Sequence, residues 1–171
     1  MGSIIVLSGP VGAGKTSVAQ ALAPRLEAPA AWVEGDRFWS FLVKPAPERR
    51  ANFQTIMRAM FRASAAIAAE GYQVILDFSM PPAFLQRAAA RVAETPIHFV
   101  VLRPSLEICA ARAAGRAEGA IADYGPYGGD FYAMFDAPER HIIRNDETPA
   151  ADVARTIAEG LGGGLFRFGQ S

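Results

Sequence analysis

Apolar runs recur along the chain, each followed by a stretch whose apolar residues repeat at helical spacing. Residues 3–8 ("SIIVLS") are continuously apolar and β-branched, the pattern of a strand buried on both faces. Residues 30–36 ("AAWVEGD") read as a second strand ending in a polar turn, 72–78 ("YQVILDF") as a third, 96–103 ("PIHFVVLR") as a fourth and 140–145 ("RHIIRN") as a fifth. Helical patterns lie at 15–27, weakened in its last turn by Pro24, and at 47–70, as one long helix or two shorter ones. Others lie at 81–94, opening on Pro81-Pro82, at 105–115 and at 148–161. The 47–70 region carries an apolar stripe of Met57, Met60, Phe61, Ala65 and Ile67. The last helix has Thr148 as its expected N-cap and Pro149 at its first position. Strands alternating with helices predict an α/β fold with a mostly parallel sheet covered on both faces. The glycine-rich end, residues 162–171, predicts a loose tail.

Composition narrows the function classes. A length of 171 residues predicts one domain, and 51% hydrophobic residues suffice for a sizeable core. The formal net charge is zero, so no broad electrostatic footprint points to nucleic acid or a membrane surface. A single cysteine, Cys109, allows no internal disulfide and predicts a reducing, cytoplasmic setting. The "IIVL" run is too short for a signal or membrane-spanning segment, and Val6 stands where a myristoylation site needs Ser or Thr. His98, His141 and Cys109 read as packed core residues, and no His/Cys cluster suggests zinc.

Candidate chemistry concentrates after the first strand. Gly9-Pro10-Val11-Gly12-Ala13-Gly14-Lys15-Thr16 fits the P-loop pattern G-x-x-x-x-G-K-[ST], between a strand and a helix. Glycines permit backbone angles that turn successive N–H groups inward as an anion nest, and the helix opening at Lys15, Thr16 and Ser17 adds its positive end. Lys15 reaches the β- and γ-phosphates of a nucleotide, and the Thr16 hydroxyl is a ligand for Mg²⁺. The motif is shared by motors, GTPases, transporters and kinases, so other residues must name the reaction. The GTPase base-binding signature N-K-x-D is absent; "RNDETP" at 144–149 lacks its lysine.

Two strand-end carboxylates follow. Asp36 closes the second strand, where ligands of parallel sheets collect, and can accept a proton from an attacking hydroxyl; a strand-end aspartate can equally cap the next turn. Asp77 ends "VILD", a Walker B-like pattern that orients Mg²⁺ or holds the Thr16 hydroxyl, or caps the following helix. Arg112 and Arg116, four apart on one helical face, precede a glycine-rich segment with the composition of a lid, roughly residues 116–137, with few large apolar anchors. Arginines entering a lid can stabilise charge on a transferring phosphoryl group, or form an ordinary solvated pair. Arg37, Arg49, Arg50 and Arg58 face the expected acceptor region or are plain surface charge. Phe38, Trp39, Phe41, Phe53 and Met80 line an acceptor pocket or pack helices.

The series "GPVGAGKT", "EGDRFW", "VILDFS", "RAAGR" and "IIRNDETPAADVARTI" resembles the small P-loop kinases of the nucleoside-monophosphate-kinase-like superfamily, over roughly residues 3–161. Its flavour is that of chloramphenicol phosphotransferase, gluconate kinase and shikimate kinase. The resemblance implies a three-layer P-loop NTPase fold, a five-stranded parallel sheet in order 2-3-1-4-5 and a lid. It implies phosphoryl transfer from ATP, with Mg²⁺, to a small-molecule hydroxyl. Asp36 falls where those kinases carry the activating carboxylate, Arg112 and Arg116 where they carry lid arginines, and 145–149, beginning at Asn145, where they hold adenine. The chain departs from the relatives' acceptor motifs. It has neither the paired D-x-D of shikimate kinases nor the lysine-rich stretch of gluconate kinases, so the acceptor stays open. A nucleotide-binding regulator, a slow ATPase or a nucleotide kinase are the alternatives, and the protein is expected as a monomer or homodimer.

Overall fold

The computed structural model describes residues 2–92, 94–117 and 119–169. Five strands form one parallel sheet in the order β2-β3-β1-β4-β5, as the resemblance implied: β1 Ser3–Ser8, β2 Ala30–Glu34, β3 Gln73–Asp77, β4 Ile97–Leu102 and β5 Ile142–Ile143. The helices are α1 Lys15–Leu22, α2 Arg49–Ala69, α3 Pro82–Ala89, α4 Leu106–Ala114, α5 Gly129–Ala133 and α6 Ala150–Gly162. Among the described residues no helix is long and apolar enough to cross a membrane.

The continuous apolar runs are explained by the two cores they serve. Alternate residues of a strand point to opposite faces. Ile4 and Val6 therefore join Val74, Leu76 and Phe99 under Met60 and Phe61 of α2 and Leu85 of α3. Ile5 and Leu7 pack on the other face with Ile75 and Val100, under Val18 and Leu22 of α1 and Val153 and Ile157 of α6. The 47–70 pattern resolves into one helix, α2, whose buried positions fall at 56, 57, 60, 61, 64 and 68, the spacing of a single helical face.

Register sets the site. Leu7, Asp77 and Glu34 lie in one row across β1, β3 and β2, so the carboxyl ends of three strands open on the same edge.

Several boundaries differ from the sequence expectation. Pro24 ends α1 at Leu22 and opens a 3-10 turn, Ala23–Arg25. The final helix begins at Ala150 with Pro149 as its cap residue, so Thr148 is not the cap. The fifth strand shrinks to two residues because the outer edge of β4 is shared. His141 Nδ1 bonds the Phe99 carbonyl at 2.9 Å, and the chain end occupies the rest. Phe99 N donates to Phe166 O at 2.8 Å and Phe168 N to Ile97 O at 2.9 Å, with Arg167 bridged to His98. The tail expected to be loose is thus docked through residue 168, and Phe166 is buried. Burial holds both imidazoles below the usual histidine pKa, consistent with core histidines.

Docking of the tail has a measurable consequence. Phe166→Ala should lower unfolding stability by about 3 kcal/mol, the scale of truncating a buried phenylalanine. Urea denaturation reads this directly; a loss below roughly 0.5 kcal/mol, as for an exposed position, would return the tail to the surface.

Candidate active site

The loop between β1 and α1 is held open by its glycines. Gly9 and Gly12 adopt φ of 146° and 82°, and a Cβ on either would strike the carbonyl oxygens of Leu102 and Cys109 at 2.2 and 2.1 Å. Only glycine lets this backbone run against the end of β4 and the side of α4. The loop is braced from two sides. Asn145 Nδ2 donates to Ala13 O at 2.9 Å, and the Tyr124 hydroxyl donates to Val11 O at 2.6 Å. Ser8 Oγ donates to Met80 O at 2.6 Å and accepts from Met80 N at 3.0 Å, tying the end of β1 to the segment after β3.

Lys15 folds back over the loop, its Nζ donating to Gly9 O at 3.2 Å and Pro10 O at 3.0 Å. Burial lowers its pKa, while Asp77 and Asp36 push it back up. Thr16 Oγ1 donates to Asp77 Oδ2 at 2.9 Å, so Asp77 reaches the P-loop and does not cap the helix after Ser79. Burial raises the Asp77 pKa, opposed by Lys15 and by the Thr16 hydrogen bond.

Asp36 lies in the first turn of a 3-10 helix, Gly35–Phe41, which replaces the end of the expected second strand. Gly35 permits that turn to pass Phe78, whose ring would lie 2.7 Å from a Cβ at this position. The Asp36 carboxylate is exposed and makes no hydrogen bond among the described residues, so the structure gives it no capping role. Arg37 turns away to pair with Glu34 at 2.5 Å.

A cavity of about 680 Å³ gathers these groups. Gly12, Gly14, Lys15, Thr16 and Ser17 form one wall, Asp36 a second, and Arg112, Arg116 and residues 145–150 a third. Arg112 Nη2 donates to the carbonyls of Asn145 at 2.9 Å and Asp146 at 2.7 Å. Asp146 Oδ1 accepts from Ser105 N at 2.8 Å, which lowers its pKa and pins the 145–149 loop to the start of α4. Arg116 stands beyond the helix, which ends at Ala114 with Gly115 as its cap, so the two arginines do not share a helical face as expected.

A buried donor and a buried acceptor without partners test whether these residues fit a nucleotide. Arg112 Nη1 and Asn145 Oδ1 are buried and unbonded among the described residues, and a Cβ on Gly14 would lie 3.9 Å from that Nη1. An unsatisfied guanidinium N–H beside a glycine nest suits a phosphate oxygen. Among the described residues no group of three or more His, Cys, Asp and Glu could cage a metal. The Thr16–Asp77 pair instead fits Mg²⁺, which takes one or two protein ligands and completes its shell with phosphates and water.

The lid segment is better anchored than its glycines suggest. Tyr124, Tyr127, Phe131 and Phe135 form a ladder of rings with centroids 5.8, 5.7 and 5.4 Å apart, and Phe135 is fully buried. The Tyr132 hydroxyl donates to Pro104 O at 2.7 Å, with the Arg103 guanidinium 4.6 Å above its ring. Residues 114–117 and 119–123 are exposed apart from half-buried Ile121, and between the rings Gly125, Pro126, Gly129, Asp130, Ala133 and Met134 are exposed as well. A second cavity, of about 720 Å³, opens between α2 and α3 and takes in Trp39, Phe53 and Arg49, Arg50 and Arg58. Met80 belongs to the core and Phe41 lies exposed. Sequence reading missed Tyr124 as a brace of the P-loop; its signal was the aromatic spacing at 124, 127, 131 and 135.

Fold and site together define a P-loop protein built like the small-molecule kinases. A family model described as an AAA domain (AAA_33) matches residues 4–123, and the chain belongs to that family. Comparison with curated proteins gave no match. Among solved structures, the chain is similar to the tunicamycin resistance protein of Deinococcus radiodurans (20% identity, TM-score 0.75, covering 95% of this chain and 96% of that one). It is similar to the APS kinase CysC of Mycobacterium tuberculosis, solved with AMPPNP and APS (18%, TM-score 0.72, covering 94% and 98%). A gluconokinase of Sinorhizobium meliloti is also similar (19%, TM-score 0.64, covering 94% and 91%). At these identities the likeness is one of fold.

Proposed function

We propose that the protein transfers the γ-phosphoryl group of ATP to a hydroxyl of a small molecule. The observation that carries this reading is the free Asp36 carboxylate on the wall of the P-loop cavity. A protein that only bound nucleotide would have no use for a carboxylate there that makes no hydrogen bond among the described residues. In the reaction, the acceptor oxygen forms a bond to the γ-phosphorus as the bond from the β,γ-bridging oxygen breaks, releasing ADP. Asp36 takes the hydroxyl proton and passes it to solvent. Lys15 leaves the Gly9 and Pro10 carbonyls for the β- and γ-phosphates, alongside the backbone N–H groups of residues 12–16. Arg112 offers its free Nη1 to a phosphate, and Arg116 approaches from the lid side to balance charge on the moving group. Mg²⁺, held by the Thr16 hydroxyl and oriented by Asp77, would neutralise charge between the β- and γ-phosphates.

In this reading the segment after Gly115 is the lid, its freer portion narrowed to residues 116–117 and 119–123 by the aromatic ladder behind it. Hydrogen exchange should be fast there in the free protein and slowed by a non-hydrolysable ATP analogue. Equal protection in both states would remove the lid. The activity itself is tested with ATP labelled at the γ-phosphate against a panel of sugars, nucleosides and other alcohols. Label should appear in an organic phosphomonoester; label appearing only as inorganic phosphate would favour a slow ATPase.

A further inference from the structure

The groove between α2 and α3 is lined by two kinds of residue in register. On α2, Phe53, Met57 and Phe61 succeed one another four apart, and Arg50, Gln54, Arg58 and Arg62 form the adjacent row, with Arg49 at the helix start. On α3, Phe84 and Ala88 face the groove, and Arg87 stands within that helix with Arg91 just beyond it. The floor is therefore apolar and aromatic, with Phe53 edge-on to Phe84 at 5.4 Å and tilted against Trp39 at 6.4 Å. The rims carry six arginines.

Arg37, Arg103, Arg144 and Arg155 elsewhere each pair with an acid, but among the described residues none of the six does. Among the described residues their one side-chain hydrogen bond is long, 3.5 Å, from Arg58 Nη2 to the amide oxygen of Gln54. Between residues 49 and 92 the sequence has only Glu70 and Asp77 as acids, and neither lines the groove. Six exposed arginines around one concavity, with Glu48 and Glu94 the nearest acids in sequence at its two ends, give it a positive rim that attracts an anion. The volume, about 720 Å³, is that of a small-molecule site.

One 3-10 helix borders both the groove and the P-loop cavity. Asp36 faces the P-loop cavity and Trp39 faces the groove, three residues apart on one 3-10 helix, where side chains at that spacing align. Tyr127 and Phe131, from the same segment that braces the P-loop through Tyr124, close its far side. We propose that this groove seats the phosphoryl acceptor and selects a hydroxyl compound with a flat apolar body and one or more phosphate, sulfate or carboxylate groups; this rests on the kinase reading. The apolar body stacks on Trp39 and Phe53, the anion meets the arginine rims, and the hydroxyl points toward Asp36.

Binding can be read on Trp39 in a Trp32→Phe background, which leaves one tryptophan. The P-loop is filled with a non-hydrolysable ATP analogue, and 4-nitrophenyl phosphate, 4-nitrobenzyl alcohol, inorganic phosphate and a short single-stranded oligonucleotide are titrated. The aromatic phosphate should quench Trp39 and bind roughly tenfold or more tightly than the neutral alcohol or inorganic phosphate, as expected for a charge-assisted contact added to a stacked ring. Arg58→Gln with Arg87→Gln should weaken it by about tenfold or more, while analogue affinity and unfolding midpoint hold. Equal affinity for the neutral alcohol, tighter binding of the oligonucleotide, or no effect of the double variant would each overturn the proposal. The same titration in Lys15→Ala and the turnover of the wild-type protein together separate the two readings. Quenching retained in Lys15→Ala would keep the anion groove apart from the P-loop, and quenching lost with Lys15 would place the probe in the P-loop and sink the groove; wild-type protein that shows the quenching yet forms no phosphomonoester with any alcohol would sink the kinase and keep the groove.

Discussion

Lys15→Ala should abolish productive use of ATP, by roughly 10²–10³-fold or more, the scale of removing one preorganised charge donor from a transition state. The fold should survive. Lys15 Nζ bonds only two loop carbonyls, and the Gly9 and Gly12 geometry that shapes the nest is fixed by contact with Leu102 and Cys109 instead. Burial lowers the lysine pKa despite the attraction of Asp77 and Asp36, so the empty loop holds its ammonium at a cost. Melting of the variant should therefore match the wild type or exceed it, while steady-state turnover vanishes. Near wild-type turnover would contradict the assignment of the loop to phosphate binding.

Asp36→Asn should lower phosphoryl transfer by roughly 10²–10⁴-fold, the usual worth of general acid–base catalysis, with affinity for an ATP analogue retained. The substitution keeps the shape and removes only the proton acceptor. Because the Asp36 carboxylate bonds nothing among the described residues, no structural partner is lost. A loose phosphoryl-transfer transition state needs little help with the proton and pulls the expectation toward the lower end. Comparison of kcat in the two proteins at saturating acceptor measures the effect. Unchanged turnover would leave Asp36 outside the chemistry and favour a nucleotide-binding regulator.

Motifs whose physics is local were readable before the structure. The P-loop requires glycines at fixed places, so Gly9, Gly12 and Gly14 announce it, and all three take positive φ. "VILD" ends in a carboxylate beside the next strand's loop, and Asp77 meets Thr16. The strand order followed from the resemblance, and the sheet has it. What remained hidden depended on contacts between distant segments. The three glycines at 162–164 suggested disorder, yet Phe166 and Phe168 behind them find the open edge of β4. Glycines in the lid suggested freedom, yet four aromatic rings fasten its second half. Each arginine of α2 and α3 resembles ordinary surface charge taken singly, and only the packing of the two helices makes them face one groove.

Phosphorus NMR of a reaction containing the protein, ATP, Mg²⁺ and an anionic aromatic alcohol tests the central claim most directly. The γ-phosphate signal should pass into a new phosphomonoester resonance in step with ADP, and the Asp36→Asn protein should slow this conversion. ADP forming with free phosphate alone, at the same rate with and without any alcohol, would contradict the claim.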